Sequence, residues 1–157
     1  MIKMELVAEP GKQEITATTV LDAQRDRIFK ALTDAALIPQ WWGPAYLTTS
    51  IDRLEVKKGG IWRFIQRDPE GNEYAFNGVF HEVTPPERLV YTFEWEGLPG
   101  HILLETITLT ERDGKTTLSD QSVFQSVEDR DGMLSAGMES GAEQSMQRLE
   151  KLLGTKL

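Results

Sequence analysis

Seven consecutive residues, Leu89-Val90-Tyr91-Thr92-Phe93-Glu94-Trp95, alternate large apolar side chains with smaller or polar ones. Neighbouring side chains on a strand point to opposite faces, so Leu89, Tyr91, Phe93 and Trp95 make one apolar face, and Val90, Thr92, Glu94 and Glu96 make the other. A face with so much aromatic surface must be covered. Its neighbours in sequence are also strand-like: 51–56, 61–67, 73–83, 101–111 and 115–125, with a first strand over 13–21. Gly59-Gly60, Asp68-Pro69-Glu70-Gly71-Asn72, Pro85-Pro86, Gly97-Leu98-Pro99-Gly100 and Asp113-Gly114 separate them. Turns this short join antiparallel neighbours.

The cover has to come from the helical segments. Asp22 stands in an N-cap position, and Ile28, Phe29 and Leu32 follow at helical spacing. A second short helix is expected from Thr33-Asp34 toward Ile38, perturbed by Pro39 and closed by Trp41-Trp42-Gly43-Pro44. Ser126 with Asp129 three residues on reads as a helix start, and Met133 to Leu153 reads as helix, ending at Gly154. The order β–α–α–many β–α predicts an α+β domain with helices gathered on one face of the sheet. Residues 13–154 form that single domain, and residues 1–12 are a leader or an added edge segment.

The chain has 17 basic and 25 acidic residues and a net charge of −8, with no basic block. That balance argues against nucleic acid or an anionic membrane as partner. Without cysteine there is no disulfide, thiolate nucleophile or thiolate metal site. The start Met1-Ile2-Lys3-Met4-Glu5 does not read as a signal peptide, and no apolar run is long enough to span a bilayer. The expected location is the cytoplasm.

Phase assigns the inward side chains. Pairing Phe64 with Phe76 around the Asp68–Asn72 turn sets Trp62 opposite Gly78, and puts Trp62, Phe64, Tyr74, Phe76 and Phe80 inside. Leu103, Ile107 and Leu109 carry Glu105 with them, and Leu118 and Phe124 carry Asp120 and Ser122. On the last helix Gly137, Gly141 and Ser145 recur every four residues, flanked by Met133, Met138 and Leu149. Interior helical glycine costs about 1 kcal/mol relative to alanine, so that stripe implies either close backbone approach or space left for a guest. The plain alternative is a packed aromatic core with methionine filler. For Glu105 the default is a solvated acid or one paired with Arg63 or Arg88, and His101 is within reach along the same face. Asp120 has the open rim as its default, and Trp41-Trp42 reads as a lid or as an anchored helix end.

No zinc set, phosphate loop or nucleophile elbow is present, and no cofactor fingerprint. No carboxylate pair stands out for catalysis.

The runs Asp22-Ala23 through Ala31-Leu32-Thr33-Asp34, Gln40-Trp41-Trp42-Gly43-Pro44, Lys58-Gly59-Gly60-Ile61-Trp62-Arg63-Phe64, Asn77-Gly78-Val79-Phe80 through Leu89-Val90 and Met138-Glu139-Ser140-Gly141 resemble the family of homologues of the activator of heat-shock-protein-90 ATPase. The resemblance covers Gln13 to Leu153. It implies the helix-grip fold of the START-type, birch-pollen-allergen-like superfamily: a curved antiparallel sheet of six to seven strands wrapped around a long C-terminal helix. It also implies a cavity between sheet and helix that serves apolar ligands across that superfamily. Two departures stand out: Ala142 where many relatives carry a large aromatic, and Asp120 where an aliphatic residue is usual.

The first expectation is therefore an apolar or aromatic small-molecule binder. Trp62, Phe64, Phe76, Tyr91, Phe93, Trp95 and Leu103 would form the sheet wall. Met133, Gly137, Met138 and Gly141 would form the helix wall, with Trp42 near one mouth and Tyr91 and Glu105 as polar handles. The alternatives are a cyclase- or hydrolase-type enzyme using Glu105, and a chaperone-accessory interaction module. A homodimer through a sheet edge or the N-terminal segment is compatible with the sequence.

Overall fold

The computed structural model describes residues 3–155 and sets eight strands in one antiparallel sheet, ordered β1-β2-β8-β7-β6-β5-β4-β3. The strands are β1 Met4–Val7, β2 Glu14–Leu21, β3 Thr48–Leu54, β4 Ile61–Arg67, β5 Glu73–Thr84, β6 Arg88–Trp95, β7 Ile102–Arg112 and β8 Lys115–Phe124. The helices are α1 Arg25–Thr33, α2 Val127–Ser135 and α3 Met138–Leu153. None is long and apolar enough to cross a membrane among the described residues.

Strands β4 to β8 follow the alternation and turn signals of the sequence; β3, expected over 51–56, runs Thr48–Leu54 instead. Asp68 Oδ1 accepts the amides of Glu70 and Asn72 at 2.9 Å, which closes the β4–β5 turn, and the register pairs Phe64 with Phe76 and Trp62 with Gly78. Asp113 (φ 54°) and Gly114 (φ 78°) both take the left-handed backbone that a two-residue hairpin requires.

Several expectations are corrected. The sheet has eight strands rather than six to seven, because Met4–Val7 pairs with β2 as an edge strand. The next turn of chain is held as well: Arg130, almost fully buried on α2, donates to the Glu9 carbonyl at 2.6 Å. Asp22 does not cap α1. Thr116 Oγ1 donates to the Ala23 carbonyl and keeps the chain extended through Gln24, which becomes the N-cap; the amide of Arg25 is taken by Glu111 across the sheet at 2.8 Å. The second short helix shrinks to one 3₁₀ turn, Ile38–Gln40.

The expected single C-terminal helix is broken in two. Ser126 caps α2, its Oγ accepting from the Asp129 amide, and the chain then turns at Gly137, whose φ of 86° interrupts the helix before α3 begins. Gly154 takes ordinary right-handed backbone at the end of α3, so its glycine freedom is unused; Arg27 from α1 binds the Leu153 carbonyl at 2.8 Å.

Leu149, Leu152 and Leu153 of α3 meet Ile28, Phe29 and Ala31 of α1 and the inner faces of β4 to β8 in the main core, which is buried on both sides. A smaller cluster of Ile15, Leu103 and Phe124 packs with Met133, Leu134 and Met138. Residues of both clusters line one cavity.

Candidate functional site

The cavity measures about 520 Å³. Its floor is the inner face of the sheet. Its roof is α3 with the end of α2, and its side is the segment 41–47. A volume of this size matches a drug-sized ligand.

The aromatic wall begins at the Trp pair, whose members separate. Trp41 turns inward and donates Nε1 to the Ala31 carbonyl at 2.9 Å, anchoring the 3₁₀ turn. Trp42 meets Phe64 and Phe76 edge-on, with centroids 5.1 and 5.3 Å away, and lines the cavity. Its backbone is fixed from above: Arg148 of α3 donates to the carbonyls of Gly43 (2.6 Å), Trp42 and Pro39, and Ser145 Oγ accepts the Gly43 amide. Trp62 continues the wall to Phe93 and Tyr91, at 5.7 and 6.0 Å.

Of the residues expected from sequence, Trp42, Trp62, Phe64, Phe76, Tyr91, Phe93, Leu103, Glu105, Met133, Met138 and Gly141 line this cavity together. A Cβ added at Gly141 would meet nothing within 4 Å, so this glycine leaves space rather than allowing close contact. Two expected residues lie elsewhere. Trp95, the last residue of β6, is 40% exposed, because its ring folds back over Gly97 in the following turn and faces a second depression shared with Leu98 and Ile102. Gly137 is exposed and serves the α2–α3 turn, since only its left-handed backbone can make it. Tyr74, in phase with Phe76, ends at the β4–β5 turn with its hydroxyl on Asp68.

The polar end of the cavity crosses three strands. Tyr91, Glu105 and Ser122 are direct cross-strand neighbours on β6, β7 and β8, and Asp120 lies two residues from Ser122 on the same face. Glu105 is buried, and neither Arg63 nor Arg88 reaches it: Arg63 pairs with Glu96 and Asp52, and Arg88 with Glu82. His101 bonds Asp129 instead, at 2.8 Å. The partners of Glu105 are the Ser122 hydroxyl, which donates to Oε1 at 2.9 Å, and the Asp120 carboxyl. Asp120 is not at a rim; it sits mid-strand, paired with Ile107 and Ala17.

Burial pushes Glu105 well above the usual carboxylate range; the Asp120 charge and their mutual hydrogen bond push the same way, and Ser122 opposes. Burial also raises Asp120, against the hydrogen bond from Glu105. Tyr91 is raised by burial and by both carboxyls. Two neighbouring carboxyls titrate as a pair, and each disfavours the charged form of the other.

Phase had already marked Asp120 and Ser122 as inward, but a polar residue on an inner face looks the same in sequence whether it meets a cavity or water. Ala17 and Thr19 of β2 also line the cavity, and no sequence signal marked them, since the run 15–20 is apolar or β-branched on both faces. Ala142 lies on the wall too, where a larger side chain would reduce the volume.

A sequence model of the activator of Hsp90 ATPase homolog 1-like protein family matches residues 22–154. No curated protein matches the chain. Among solved structures, protein Ms6760 from Mycobacterium smegmatis is 20% identical with a TM-score of 0.88, covering 100% of this chain and 99% of its own. A protein from Rhodobacter sphaeroides is 24% identical, also at 0.88, over 96% and 98% of the two chains. A third, from Silicibacter pomeroyi, is 23% identical at 0.73, over 89% and 96%. These likenesses support the fold.

Proposed function

The chain belongs to the activator of Hsp90 ATPase homolog 1-like family, and from that premise we propose that it binds an apolar or aromatic small molecule between the sheet and α3. The observation that carries this reading is the 520 Å³ of space left among Trp42, Trp62, Phe76 and Phe93 under a helix whose Gly141 leaves room. A packed core would fill that space, because voids in a protein interior forfeit dispersion contacts. An apolar guest restores them and gains about 25 cal/mol for each Å² it buries. Tyr91, Glu105 and Asp120 at one end supply the few polar contacts that orient it.

A second reading is an acid–base enzyme of the cyclase or hydrolase kind. It is favoured by one observation, the burial of Glu105 beside Asp120, since a carboxyl whose pKa burial raises is suited to donating a proton. It predicts a turnover that Glu105→Gln abolishes while binding survives.

The test is native mass spectrometry of the protein purified from its own host, followed by denaturing extraction. A stoichiometric apolar molecule released on unfolding is the expected result. A clean apo mass with no thermal shift across a panel of lipids and aromatic metabolites would overturn the reading. A co-purifying protein in its place would turn the assignment to an interaction module.

A further inference from the structure

Two charged side chains line the cavity, Glu105 and Asp120, and both are acidic; no Lys, Arg or His lines it among the described residues. An ion pair within the protein therefore does not balance them. Glu105 spends one oxygen on Ser122. Asp120 Oδ1 exposes less than 1 Å² and has no hydrogen-bond partner among the described residues. The other oxygen, Oδ2, receives no hydrogen bond from the described residues. Asp120 itself is only partly buried, although it lies mid-sheet between β2 and β7 on a face that looks into the cavity. Its cross-strand neighbour on β2, Ala17, is small and lines the cavity with it.

Resting on the proposed binding role, we propose that the ligand is an apolar amine, its ammonium group seated on the Asp120 carboxyl and its hydrocarbon body on the aromatic wall. Two carboxyls with no cation among the residues that line the cavity leave negative charge there uncompensated, and a buried charge without a partner is costly. A monocation that also donates hydrogen bonds neutralises it and fills the missing donor position in one step. Tyr91, the cross-strand neighbour of Glu105, lines the cavity beside the carboxyls, and aromatic faces attract cations. A carboxylate placed at this position would meet like charge and no cation.

The test uses four probes of one shape: naphthylmethylamine, naphthylmethanol, methylnaphthalene and naphthoate, each titrated against the whole protein at neutral pH by calorimetry. The amine should bind more tightly than methylnaphthalene by about ten-fold or more, the usual worth of a hydrogen bond to a charged group, and naphthoate should bind weakest. In Asp120→Asn, checked for native thermal unfolding, the amine should lose its advantage over methylnaphthalene measured on the same variant. Equal affinity of amine and methylnaphthalene in the unaltered protein overturns the inference, with no variant needed. Naphthylmethanol binding as tightly as the amine overturns the role of charge. If methylnaphthalene binds and the amine gains nothing, this inference alone fails; if none of the four binds, the binding role falls and takes it along.

Discussion

The indole of Trp62 lies across Gly78 and donates its Nε1 proton to the Thr92 carbonyl on the far side, at 3.1 Å. One side chain thus spans from β4 over β5 to β6, and it can do so only because its cross-strand partner has no Cβ. A Cβ at Gly78 would collide with the Thr92 carbonyl oxygen and the indole nitrogen. Gly78→Ala should therefore destabilise the fold by about 1–3 kcal/mol, the range for overpacking. A urea midpoint at unchanged slope measures it. A midpoint equal to that of the unaltered protein would show that the indole is free to move.

Gly141 should behave in the opposite way. It is interior to α3, has ordinary helical backbone and faces open space. Gly141→Ala should raise stability by about 0.5–1 kcal/mol through helix propensity and a less disordered unfolded chain. Gly141→Leu should fold equally well and abolish binding of an apolar probe such as methylnaphthalene. Retained binding in a folded Gly141→Leu protein would move the site out of this cavity.

Glu105 sets a pH dependence opposite in sign to ordinary acid denaturation. Its folded pKa is raised above the unfolded one, so between those two values the folded state holds the extra proton. Stability then falls as pH rises through that window, with a slope of at most about 1.4 kcal/mol per pH unit for one proton. Asp120 is raised too and adds in the same direction. Glu105→Gln keeps a hydrogen-bonding group in place and should flatten the dependence on the alkaline side of 4.5, the ordinary value for a glutamate. Thermal unfolding across that range, for both proteins, decides; parallel curves would remove Glu105 as the source.

Arg148 fastens the Trp42 segment to α3 through three carbonyls. Arg148→Met keeps the aliphatic stem and removes the donors, which should cost about 1–3 kcal/mol for carbonyls left unpaired. Hydrogen exchange should quicken across residues 38–47 before it does in β7 and β8. Uniform quickening would mean that the segment is held by other contacts.

Alternation and turn chemistry were sufficient for β4 to β8, for the Trp62–Gly78 register and for most of the aromatic wall, because these depend on period-two burial and on neighbours close in sequence. The helix starts show the limit. Ser126 caps α2 from three residues away and was readable; Gln24 caps α1 only because Thr116 and Glu111 reach over from β8 and β7. Similarly, β1 is too short to announce itself and exists through pairing with β2 and the hold of Arg130 on Glu9.

The site divides along the same line. Which side chains share the inner face follows from local backbone geometry, so Trp62, Phe93 and Glu105 could be placed from the chain alone. Three things needed the assembled molecule: that Trp95 turns away over Gly97, that Gly137 breaks the helix instead of lining it, and that Asp120 and Glu105 meet. Strand phase says which way a residue points, and it is silent on what arrives opposite. The space beneath Gly141 and the burial of the two carboxyls are products of elements brought together from distant parts of the chain.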